Sequence, residues 1–206
     1  TTEEMLDGHE AGVAAFPAET EGLGNEPLEP RIENGTKVFD LTATEVTWET
    51  SPGMFVDAMA YNGTVPGPEI RVRQGDHVLI IVHNEMTQPT IMHFHGLTVP
   101  NDMDGVPFIT QDPILPGGFF VYEFEVVDPP GMYVYHSHFN STEQVGKGLY
   151  GAFIVEPKRG DWSSLYGSAS TSRARCSWGT ARPASCSTAR SSRRRSRSSP
   201  RSETAS

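Results

Sequence analysis

Between residues 37 and 156 short apolar, β-branched runs alternate with turn-forming residues, and this rhythm constrains the fold more than any other feature of the chain. The runs cover 37–48, 55–61, 69–73, 77–83, 90–97, 119–126, 132–138 and 150–155. Between them stand Ser51-Pro52-Gly53, the stretch from Gly63 to Pro68, Gln74-Gly75-Asp76, Pro116-Gly117-Gly118 and the stretch from Asp128 to Gly131. Several short strands at such spacing predict an all-β sandwich or barrel. About 120 residues in two packed sheets can bury a core of their own. The segment from Ser141 to Lys147 is expected to make a helical turn between the last two strands.

The flanks read differently. Residues 1–36 form an acidic arm, with a short helix expected from Glu3 to Phe16 and extended chain after it. Residues 37–158 form the domain, and 159–206 a tail expected to be disordered. From Gly167 onward, 28 of 40 residues are Ser, Arg or Ala, with no Val, Ile, Leu, Phe or Lys, so no core can form there. The formal charge is −17 over residues 1–160 and +7 over 161–206, which together make the −10 of the whole chain. An acidic body argues against a nucleic-acid partner, since phosphate binding needs clustered Lys and Arg. We read the basic tail as the product of a shifted reading frame. One allowed set of codons for residues 184–194, regrouped two bases later, encodes an apolar run, a turn and a strand start. An intact open frame with no such coding downstream would end that reading. No apolar run is long enough to span a bilayer, and no signal peptide is visible.

Two His-x-His pairs stand out, His93-Phe94-His95 and His136-Ser137-His138, and they hold four of the seven histidines. Each pair lies on a predicted strand. Side chains at i and i+2 leave a strand on the same face, so each pair presents two imidazoles together. Two such strands side by side bring four imidazoles to one place, a donor set that suits copper, zinc, iron or nickel. A single pair reads equally as ordinary strand histidines or a structural zinc site; two pairs in one small domain favour a shared metal.

The flanking residues carry more. Tyr61-Asn62-Gly63-Thr64-Val65-Pro66-Gly67-Pro68 leads to Ile70-Arg71-Val72-Arg73-Gln74-Gly75-Asp76, then to His93-Phe94-His95-Gly96-Leu97. There follow Met103-Asp104-Gly105-Val106-Pro107, Thr110-Gln111, Pro116-Gly117-Gly118, Tyr122 and Tyr133-Val134-Tyr135-His136-Ser137-His138. This succession resembles the N-terminal domain of multicopper oxidases, the family of laccases and bilirubin oxidases, from about Val38 to Pro157. Phe94 stands where many members have Trp.

The resemblance implies a cupredoxin-type (plastocyanin-like) Greek-key β-sandwich or barrel. It implies that His93 binds a type 2 copper and that His95, His136 and His138 bind the type 3 pair. It gives Asp104 the role of the carboxylate that helps supply protons to reduced oxygen; Asp104 also reads as the turn residue of an Asp-Gly pair. Gly96 would turn the chain sharply away from the metal, and the second ring nitrogen of each ligand should donate to a backbone or carboxylate partner. In this family a reducing substrate gives up electrons singly, and dioxygen is reduced to water at a cluster of eight histidines. This chain supplies half of them, so a further C-terminal cupredoxin domain is implied. The type 1 site, which needs a Cys thiolate, is absent, because neither Cys176 nor Cys186 has a His neighbour. The chain alone is expected to be inactive, although four imidazoles could still hold one copper, or zinc, weakly. Localisation outside the cytoplasm follows by resemblance. A non-catalytic copper-binding module and a copper nitrite reductase-like domain are the alternatives; the second would need a thiolate where Ser137 stands. His77, His83 and His9 carry no motif, and Met54, Met59, Met92 and Met132 are expected to pack in the core.

Overall fold

The strand β2 (Thr36–Ser51) alternates Phe39, Leu41 and Ala43 inward, and β5 (His77–Asn84) does the same with Val78, Ile80 and Val82. The two pair in parallel, Val38 opposite Leu79. This structure is a computed structural model. It describes residues 1–160 and Trp162; the Ser/Arg-rich tail, its two cysteines and the shifted-frame reading lie outside the described residues.

Around β2 and β5 one sheet runs in the order β1 (Arg31–Glu33), β2, β5, β7 (Phe119–Glu125), and β3 (Met54–Tyr61) also pairs with β2. The second sheet runs β4 (Gly67–Arg73), β9 (Tyr150–Glu156), β8 (Gly131–Ser137), β6 (Met92–His95). Between the sheets lies one core that includes Phe39, Leu41, Ile70, Ile80, Phe94, Tyr122, Phe124, Tyr135 and Phe153. Each such side chain contributes on the order of 1.5–3 kcal/mol when fully buried, and edge-on ring contacts such as Phe94 against Phe124 at 5.0 Å add to this. The sandwich is the expected all-β, cupredoxin-like fold.

The arm divides into three parts. The helix α1 (Thr2–Ala14) starts at a capping box on Thr1 and buries none of its residues. Farther on, Leu28 N donates to Glu69 O and Glu69 N to Glu26 O, so residues 26–28 line the open edge of β4 and cover it. Then β1, which the sequence pattern leaves within the arm, pairs with β2 through Asn34-Gly35, both residues at positive φ as a tight hairpin requires. Three residues are too few for a period-2 signal. No described helix is long and apolar enough to cross a membrane.

Candidate metal centre

The strands β6 and β8 lie next to each other, antiparallel, with His93 opposite His136, Phe94 opposite Tyr135 and His95 opposite Val134. Alternation sorts their side chains. Met92, Phe94, Tyr135 and Ser137 are buried, while His93, His95 and His136 leave by the other face. The short helix α2 (Ser141–Gln144) follows β8. The strand β8 ends at Ser137, one residue earlier than the sequence run suggests, but His138 N still donates to Ile91 O and carries the ladder on. The two pairs are therefore staggered along the strands, with His93 and His136 in the middle of the row.

His93 is the hub. Its ring centroid is 5.9 Å from that of His95, 5.3 Å from that of His136 and 5.2 Å from that of His138. His95 lies 5.6 Å and His138 6.2 Å from His136. One nitrogen each from His93, His95 and His136 falls within 4.8 Å of the others, and among the described residues this is the only such group of potential metal ligands. His138 stands outside that triad, although its ring packs against two of its members.

Hydrogen bonds fix which nitrogen is free. His93 Nδ1 donates to Asp104 O at 2.6 Å, and His136 Nδ1 donates to Ser137 O at 2.9 Å, which leaves each Nε2 with its lone pair available. His136 Nε2 lies 3.4 Å from His95 Nδ1. These two backbone acceptors are what a metal-binding imidazole requires of its second nitrogen. His138 Nδ1 is buried with no partner, so the expected second-nitrogen partner is missing there. Burial lowers the pKa of His136, and the neighbouring rings of His93, His95 and His138 lower it further against the opposing Ser137 bond. Both effects favour the neutral imidazole, the form that ligates. An all-imidazole donor set that includes a buried nitrogen lacking a partner fits a copper ion.

Asp104 caps a single 3-10 turn (Asn101–Met103), and its carbonyl holds His93. Its carboxylate lies 3.5 Å from the same nitrogen and is 35% exposed. The turn comes this close only because Gly105 follows at φ +75°: a Cβ there would stand 1.8 Å from Met92 O. Gly96 ends β6 at φ +86°, as the sequence suggests. From the core side Tyr122 Oη accepts from Met92 N at 2.9 Å. The supports Gly105 and Tyr122 are residues to which the sequence motifs assign no part in the site. Both stand within the motif succession, but nothing there marks the close approach or the bond to Met92.

The remaining candidates disperse. His77 pairs with Glu123 at 3.6 Å on the other sheet, and His83 packs on Phe119. Met59 and Met92 are buried as expected. Met54 and Met132 correct that expectation at 63% and 75% exposed: Met54 follows the tight turn at Gly53, and Met132 shares the outward parity of His136.

A family model for multicopper oxidases matches residues 42–160. The chain is 42% identical over 132 residues to a copper resistance protein A homolog of Pseudomonas syringae pv. tomato, covering 64% of this chain and 22% of that protein. It is 41% identical over 118 residues to a laccase of Ustilaginoidea virens, covering 55% and 18%. Among solved structures, a multicopper oxidase of Pseudomonas thermotolerans matches at 40% identity and a TM-score of 0.59, over 61% of this chain and 30% of that one. Another multicopper oxidase matches at 35% identity and a TM-score of 0.63, over 70% and 54%. The chain thus spans about a fifth of the length of these curated relatives.

Proposed function

The chain belongs to the multicopper oxidase family, a family of copper-dependent oxidoreductases, and from that premise we propose that it supplies half of the imidazoles of a trinuclear copper centre. In this reading His93 serves the type 2 copper, and His95, His136 and His138 serve the type 3 pair. The observation that carries it is the convergence of His93, His95 and His136, one nitrogen from each within 4.8 Å of the others. His138, packed on two of these rings with a bare buried nitrogen, is the fourth member.

When bound, the copper centre supplies one-electron storage and a place for dioxygen to be reduced to water while a reducing substrate is oxidised. The rest falls to the chain. The Asp104 and Ser137 carbonyls hold Nδ1–H on His93 and His136 and aim both Nε2 atoms outward. The Asp104 carboxylate, 3.5 Å from His93 Nδ1 and partly open to solvent, stands at the rim where protons pass between water and the site. The other four histidines and the type 1 thiolate belong in this reading to a further cupredoxin domain, and no cysteine is among the described residues. A nitrite-reductase-like site is disfavoured because Ser137, at the position of its thiolate, is buried and hydrogen-bonded to Gln144. A place outside the cytoplasm accords with similarity to copper resistance proteins.

Copper(II) titration of this chain, followed by electron paramagnetic resonance, tests the reading. We expect one copper held by three or more nitrogens, no intense blue band and no oxidase turnover. Absence of binding, or binding unchanged in His93→Ala and His136→Ala, would falsify it.

A further inference from the structure

Ser137 stands between the two histidines of the second pair and faces the other way, fully buried. It acts on the site twice. Its carbonyl accepts the Nδ1–H of His136 and so sets that ring's tautomer. Its hydroxyl donates to Gln144 Oε1 and accepts from Phe139 N, where the chain turns back after His138. Wherever Ser137 is held, His136 is held with it.

Gln144, also fully buried, is the last residue of α2. Its Oε1 accepts from Ser137 Oγ and from Thr90 Oγ1, the latter at 2.9 Å. Its Nε2 donates to Gln88 Oε1 at 3.0 Å and Pro89 O at 2.8 Å. All of its donor and acceptor capacity is thereby used. One amide spans the loop that leads into β6, the strand of the first histidine pair, and the end of β8, the strand of the second.

We propose that Gln144 is the positioning residue of the centre, fixing Ser137, and through it the tautomer and orientation of His136, relative to the strand that carries His93 and His95. The inference rests on the copper reading above and goes beyond it, because it assigns to a side chain that touches no imidazole the relative placement of the two pairs. The chemistry selects this residue type. A carboxylate at 144 keeps the acceptor for Ser137 and Thr90 but loses both donors to residues 88 and 89. A thioether loses all four bonds at similar volume. Asparagine is one methylene too short to reach across.

The test reads the metal-free chain first. Nitrogen NMR of the imidazoles should show His136 as a single Nδ1–H tautomer in the wild type and as a mixture in Gln144→Met. The buried-tyrosine near-ultraviolet circular dichroism should be retained, and His93 should keep its Nδ1–H tautomer. Copper(II) should then bind the variant on the order of 10–100-fold more weakly, the range for loss of an outer partner of a ligand, with Gln144→Glu in between. Where Gln144→Met fails to fold, Ser137→Ala keeps the two amide donors and should show the same tautomer mixture. A single His136 tautomer in Gln144→Met, or in Ser137→Ala, overturns the inference. A wild type that shows the tautomer difference yet binds no copper leaves the positioning role standing and overturns the copper reading alone.

Discussion

The two His-x-His pairs have the same spacing but are held in different ways. The first sits on β6, a four-residue strand, and its anchor comes from outside: the Asp104 carbonyl arrives on a loop that Gly105 lets lie against Met92. The second sits on β8, flanked by β6 and β9, and its anchor is its own backbone at Ser137, tied down by Gln144. His95, at the far end of the first pair, is exposed, while His138, at the far end of the second, has a buried nitrogen. The first pair therefore depends on a close backbone approach and the second on a polar network. Equal motifs do not imply equal sensitivity to mutation.

The largest break should come at the close approach. Gly105→Ala forces a Cβ onto the Met92 carbonyl at a positive φ, and strain plus overpacking should cost about 3 kcal/mol or more. Urea unfolding would show it; a cost near that of an ordinary loop alanine would mean that the loop gives way freely. Next come the hub ligands. His93→Ala and His136→Ala should each weaken copper(II) binding by at least about 100-fold, the upper end of what losing an outer partner costs, whereas the exposed His95→Ala should cost less. Equal losses at all three, measured by competition titration, would erase the distinction between hub and rim.

Asp104 gives a sharper contrast. If the carbonyl rather than the carboxylate orients His93, Asp104→Asn keeps the anchor. Copper affinity should then fall by less than about fivefold, the scale of a weak, partly exposed electrostatic contact. A loss of about 10–100-fold would place the orienting bond on the carboxylate instead.

How much of this the residues announce depends on the range of the interaction. Period-2 alternation put the two histidines of each pair on one face of their strand, because it is a local property of strand geometry; that Phe94 and Tyr135 take the buried face is what the structure adds. The stagger that pairs His93 with His136 was not legible, since register is set by the whole β8–β9 packing and not by either motif. Asp104 was visible as an acidic residue in a turn, but its carbonyl, which every residue has, makes the closest bond. Gln144 was silent because its partners Thr90 and Gln88 are 54 and 56 residues away. Met132 was misjudged on composition, where its parity with His136 places it outward.

The smallest effect concerns protons and belongs to the second pair. The pKa of His136 lies below the usual value of about 6.5, chiefly through burial. A folded-state pKa below the unfolded one means that the unfolded chain binds the extra proton first. Stability from this group is therefore complete above about pH 6.5 and drains away as the pH falls through the lower folded-state value. In the metal-free chain His136→Gln should flatten the loss of stability on acidification below about pH 6.5. Parallel unfolding curves at neutral and mildly acidic pH decide this, and an acid limb as steep in the variant as in the wild type would show that burial does not disfavour the charged form of His136.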